Sequence, residues 1–149
     1  MLINLFFISA DLSKLRLYYQ DSDSTVRERL LNGEVWTPGF KFPINTPRTT
    51  RIATVSWNDQ AEIRLFIQDH TMDIIEWAYH SSTGWESTKF RTPALAFTDI
   101  AATTIILKDK PHIWLYFHSP NGTLQRRICL EDNGAMKWTD AEDVLYSDS

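Results

Sequence analysis

Cysteine is all but absent. Cys129 stands alone in 149 residues, which excludes an internal disulfide framework and a cysteine-rich zinc site. The four histidines (His70, His80, His112 and His118) show none of the close spacings of a metal motif, so no metal is expected. Basic residues are outnumbered, fifteen Lys and Arg against nineteen Asp and Glu, and they form no stripe. Nucleic acid is therefore not an expected partner. No apolar run approaches the ~20 residues of a membrane helix, so membrane insertion is not expected either. No Lys or Arg precedes the apolar opening Met1–Ser9, which reads as a strand and not as a signal peptide. Localisation stays open between the cytoplasm and non-classical secretion. No long helical pattern, Gly-rich phosphate loop or Ser/His/Asp constellation is visible, and no cofactor is implied.

What the chain does have is aromatic side chains and a repeat. Six Trp, eight Phe and five Tyr lie in a chain that is 43% hydrophobic, ample for the core of a single domain. The segments Leu15–Gln20, Ile63–Gln68 and Ile113–His118 are alike, and their second residues, Arg16, Arg64 and Trp114, lie 48 and 50 residues apart. Similar segments precede them: Ile3–Ile8, Ile52–Trp57 and Ile100–Ile105. Others follow: Val26–Glu28, Ile74–Glu76 and Leu124–Arg126. A Gly and a Trp then close each copy, as Gly33 and Trp36, Gly84 and Trp85, Gly134 and Trp138.

Each copy consists of short runs rich in β-branched and aromatic residues, separated by turn clusters such as Asp21–Ser24 and Ser119–Gly122. Within the latter, Asn121-Gly-Thr123 is formally a glycosylation sequon but reads better as a hairpin turn. A period near 50 built of antiparallel strands predicts an all-β fold of three four-stranded β-propeller blades, approximately 1–48, 49–97 and 98–149. Trp-Asp and Gly-Gly pairs are missing, which disfavours the WD40 and kelch types. Three blades cannot close a ring without exposed edges. Two chains joined about a two-fold axis would make six blades, and the completeness of all three copies favours that homodimer over part of a longer propeller.

The chemistry sits in a recurring polar pair. Arg16 lies twelve residues before Glu28, and Arg64 twelve before Glu76. That spacing places Arg and Glu on adjacent strands of one blade face. Arg offers a fork of donors and Glu two acceptor oxygens, so the pair can clamp two vicinal sugar hydroxyls. The Trp that follows offers a flat apolar wall. Trp57 and Trp77 read as core residues, Trp77 pointing away from its neighbour Glu76.

This pattern resembles the blade signature of the fungal and bacterial fucose-specific six-bladed lectins, the Aleuria type, over nearly the whole chain. The resemblance implies metal-independent, non-catalytic binding of L-fucose on fucosylated glycans, in pockets between neighbouring blades. One site would use Arg16 and Glu28 with Tyr79 and Trp85 of the next blade. A second would use Arg64 and Glu76 with Trp138, its other wall thinned because Cys129 stands where Tyr79 stands in the first. The third departs from the pattern. Trp114 replaces Arg, Arg126 replaces Glu, and the wall would be Trp36 of a second chain, so little or no fucose binding is expected there.

Two other classes compete with a lectin. A glycosidase needs two positioned carboxylates, whereas each pocket holds one Glu kept ionised by Arg. A propeller that only binds protein, its sugar pockets degenerate, is the stronger rival, since cross-strand Arg–Glu pairs are common as plain surface ion pairs.

Overall fold

The computed structural model describes residues 2–7 and 14–144. These residues form thirteen strands and no helix, arranged in three sheets. The first sheet holds β1 (Leu2–Phe7), β2 (Lys14–Gln20), β3 (Val26–Asn32) and β4 (Val35–Lys41). The second holds β5 (Ile52–Trp57), β6 (Glu62–Gln68), β7 (Asp73–His80) and β8 (Gly84–Pro93). The third holds β9 (Ala101–Leu107), β10 (Lys110–His118), β11 (Leu124–Asp132) and β12 (Ala135–Trp138), with a two-strand-residue addition, β13 (Glu142–Asp143), also paired to β11. Each sheet is an antiparallel meander with its strands in chain order, as expected for a blade. The apolar opening is strand over Leu2–Phe7; Met1, Ile8 and Ser9 lie outside the described residues.

The repeat in the sequence is a repeat in register. Tyr18 pairs with Glu28, Phe66 with Glu76 and Tyr116 with Arg126, each at the centre of its sheet. Between the two central strands lies the same tight turn. Ser24, Met72 and Gly122 all have positive φ and donate their N–H to Asp21, Asp69 and Ser119 respectively. Only Gly122 takes that left-handed conformation without a Cβ penalty.

The strand-end glutamines of the first two copies hold the connections between sheets. Gln20 donates to the carbonyl of Pro47 and to Thr46 Oγ1, and accepts from the Thr50 N–H. Gln68, fully buried, donates to the carbonyls of Met72 and Leu95. Loop backbone between the sheets is thereby tied to the strand ends.

The core lies between the sheets. Strand alternation turns Tyr18 and Val26 of the first sheet toward Leu65, Ile67 and Trp77 of the second, with Phe42 filling between. The opposite face of the second sheet presents Val55, Phe66, Ile74 and Phe90 to Ile113, Leu115, Phe117 and Cys129 of the third. The leading strands β1, β5 and β9 lie against one another in succession, so the sheets fan out from a common edge.

Candidate functional site

At the junction of the first and second sheets, pleat and bulge bring four side chains together. Arg16 and Tyr18 are two residues apart on β2 and so share a face; Glu28 is the cross-strand partner of Tyr18. The pairing of β3 with β4 slips beside Glu28, between Arg27 and Arg29, and the extra residue of this bulge lies on β4. Gly39 on β4 is essential to this arrangement, because a Cβ there would fall 2.5 Å from Glu28 Oε2.

The Glu28 carboxylate is surrounded by donors. Arg16 Nη1 lies 2.6 Å from Oε1, and Tyr18 donates its hydroxyl to the same oxygen at 3.1 Å. The Phe40 N–H donates to Oε2 at 3.0 Å, and the Trp85 indole N–H reaches it from the second sheet at 3.4 Å. Tyr79, also of the second sheet, lies under the Arg16 guanidinium at 4.3 Å, and Gln60 accepts from Arg16 Nε. Burial works against the Arg16 cation, but the charge and hydrogen bond of Glu28, with Tyr18 and Tyr79, together offset it, and the guanidinium holds its proton more tightly than usual. Burial, reinforced by Glu28, likewise pushes the Tyr18 phenol well above its ordinary range. Arg16, Glu28, Tyr79 and Trp85 are thus all in one place.

The next junction repeats the plan with looser contacts. Arg64 Nε lies 3.7 Å from Glu76 Oε1, and the Trp138 indole of the third sheet donates to Glu76 Oε2 at 3.4 Å. The β7–β8 pairing again slips around the Glu, between Ile75 and Trp77. Thr88 now mediates, donating its hydroxyl to Glu76 at 2.8 Å and accepting from the Phe90 N–H. Burial raises the Glu76 carboxyl above the usual range, although Thr88, Arg64 and Trp138 pull the other way. An open cavity of about 410 Å³ is lined by Arg64, Glu76, His80, Thr88 and Trp138, within the range of small-molecule sites.

Cys129 pairs with Trp138 as Tyr79 pairs with Trp85, so it does occupy the Tyr79 position. It is fully buried, and burial together with Glu76 pushes its thiol up to about 12. The cysteine is an inert packing group. The aromatic ring against Arg64 is instead Trp57, 4.9 Å from the guanidinium carbon. Trp77 is a core residue on the opposite face from Glu76, as expected, but Trp57 is only partly buried and belongs to the site's surroundings.

At the third position Arg126 and Trp114 face away from the other two sheets. Arg126 pairs with Glu142 of β13 and lies 5.5 Å from the Trp114 ring. Trp36 is 42% exposed on the far side of the first sheet, apart from both sites. Sequence reasoning missed Tyr18, Gln60, Gly39, Thr88 and Trp57. Tyr18 was within reach, since it follows Arg16 by two on a strand. Gln60 and Thr88 have no counterpart across the repeats to reveal them.

Comparison with known proteins places the chain among relatives of one family. The sequence model of the family described as fungal fucose-specific lectin matches residues 2–145. A fucose-specific lectin of Aspergillus oryzae is 28% identical over 128 residues, covering 81% of this chain and 41% of that protein. The crystal structure of AofleA from Arthrobotrys oligospora superposes with a TM-score of 0.80 at 26% identity, over 95% of this chain and 41% of that one. That of the Aleuria aurantia lectin, a six-bladed β-propeller, superposes with a TM-score of 0.71 at 23% identity, over 90% and 40%. The chain therefore spans about two fifths of the length of these relatives.

Proposed function

The chain belongs to the fungal fucose-specific lectin family, a family of carbohydrate-binding proteins and not of enzymes, and on that premise we propose that it binds L-fucose without catalysis in the pockets between neighbouring sheets. One observation carries the proposal. At two successive junctions an Arg–Glu pair from one sheet meets a Trp from the next, whose indole N–H points at the Glu carboxylate at the same 3.4 Å. Folding alone gives little reason for this. A buried ion pair is often no more stabilising than apolar residues of the same volume, so its recurrence suits a surface that meets a ligand. In the proposed complex Arg16 or Arg64 donates to two sugar oxygens and Glu28 or Glu76 accepts from a hydroxyl. Trp85 or Trp138 covers the apolar face of the ring.

Calorimetric titration with L-fucose, with galactose as control, tests the reading. Two sugars per chain are expected, falling to one in Arg64→Ala with the fold retained. Unchanged stoichiometry in that variant would remove Arg64 from the site. No fucose heat in the native chain would overturn the reading and favour a protein-binding propeller.

We further propose that a second copy completes a six-bladed ring. Leu15, Leu17 and Tyr19 on the outward side of the first sheet, and Trp114, Tyr116 and Ile128 on that of the third, keep partial exposure for lack of a neighbour. Covering both would remove apolar area from water on each side. Light scattering should give twice 17.3 kDa. The mass of a single chain would assign closure to further blades of a longer polypeptide.

A further inference from the structure

We infer that the junction of the second and third sheets also holds a subsite for the sugar unit attached to fucose, and that this subsite selects neutral or amine-bearing rings over anionic ones. The inference rests on the fucose reading above. Its basis is a second cavity of about 260 Å³ that shares Arg64, His80, Gly134 and Met136 with the larger one. The two spaces therefore adjoin across the Arg64 guanidinium. A ring linked to a fucose held by Arg64 and Glu76 has this cavity within reach.

The lining decides what fits. Trp57 gives it a flat wall, and Glu62, Asp109 and Glu131 with Asn58 make it rich in acceptors. Glu62 lies 3.6 Å from Arg64 Nη1, so part of its charge is met from within the protein. Asp109 and Glu131 take part in no ion pair among the described residues. Arg64 itself is nine-tenths buried and donates from Nη1 to the Ile63 carbonyl. Its Nε is 3.7 Å from Glu76 and its Nη1 3.6 Å from Glu62, so a guanidinium paired only at longer range with a carboxylate on either side separates the two cavities.

A metal ion is not the occupant these side chains suit. Among the described residues no three His, Cys, Asp or Glu converge as ligands. A sugar with hydroxyl or amide N–H donors suits both the carboxylates and the indole wall. A sulfated or carboxylated ring would meet like charge on Glu131 and Asp109 in a partly enclosed space.

The test compares three probes by calorimetry: methyl α-L-fucoside, a fucosyl-N-acetylglucosamine disaccharide, and that disaccharide sulfated on the second ring. The neutral disaccharide should bind at the second-junction site at least roughly fivefold more tightly than the methyl fucoside, the gain from about one net hydrogen bond. The sulfated form should lose that gain. In Glu131→Gln combined with Asp109→Asn, methyl fucoside affinity should stay as it was while the penalty for sulfate shrinks. Equal affinity for all three probes in the native chain would overturn the subsite alone. So would a sulfate penalty unmoved by the double substitution. Failure of methyl fucoside to bind would overturn the fucose reading and the subsite with it.

Discussion

At the scale of single residues, the site depends on positions that do not themselves touch a sugar. Gly39 is the clearest. A methyl group there meets the Glu28 carboxylate, which four donors hold in place, so Gly39→Ala must displace the acid and dismantle the first site. Calorimetry on that variant should find one fucose per chain, with the second site untouched. The second site has its own signature in pH. Burial raises the Glu76 carboxyl, and it must be ionised to accept fully from a hydroxyl. Affinity there should fall at a pH where a solvated Glu would still be charged. Stability responds in the opposite sense. The folded chain holds this proton more tightly than the unfolded one, so Glu76 contributes stability below the ordinary carboxylate range and loses it as pH rises through the raised value. Unfolding curves across that window, with and without Glu76→Gln, would read the contribution directly.

At the scale of elements, the strand pattern could be read almost entirely from the chain. Leu15–Gln20, Ile63–Gln68 and Ile113–His118 fall within β2, β6 and β10, because period-two alternation sorts their side chains to opposite faces. The bulges beside Glu28 and Glu76 were not legible, since a slip in pairing leaves no mark in composition. Their extra residues lie on β4 and β8, and they set Gly39 and the Phe40 N–H against Glu28 and the Thr88 hydroxyl against Glu76. The motif's closing glutamine was visible as a repeated letter, and only the fold gives its reason. Gln68 ties the Leu95 carbonyl of the connection between sheets to the end of β6. In Gln68→Ala the Met72 carbonyl loses its side-chain donor and the Leu95 carbonyl keeps only the Thr98 N–H, which should cost about 1 kcal/mol. Chemical denaturation should record it as a lower midpoint with an unchanged slope.

At the scale of the molecule, the described residues share no single central core. Two apolar layers lie between three sheets, so the contacts that hold the sheets together run alongside the proposed pockets. Phe66 and Phe90 pack on Trp138, and Tyr18 and Phe42 on Trp85, so each wall indole belongs to a pocket and a core layer at once. A molecule lodged between Arg16 and Trp85, or between Arg64 and Trp138, is gripped from two sheets. It then acts as a cross-brace, since the sheets cannot part without releasing it. Sugar should therefore raise the melting temperature, by about 2.7 kcal/mol of stabilisation per site at a hundredfold excess over Kd. Galactose should leave the melting temperature unchanged, and Gly39→Ala should keep only the share that belongs to the second junction.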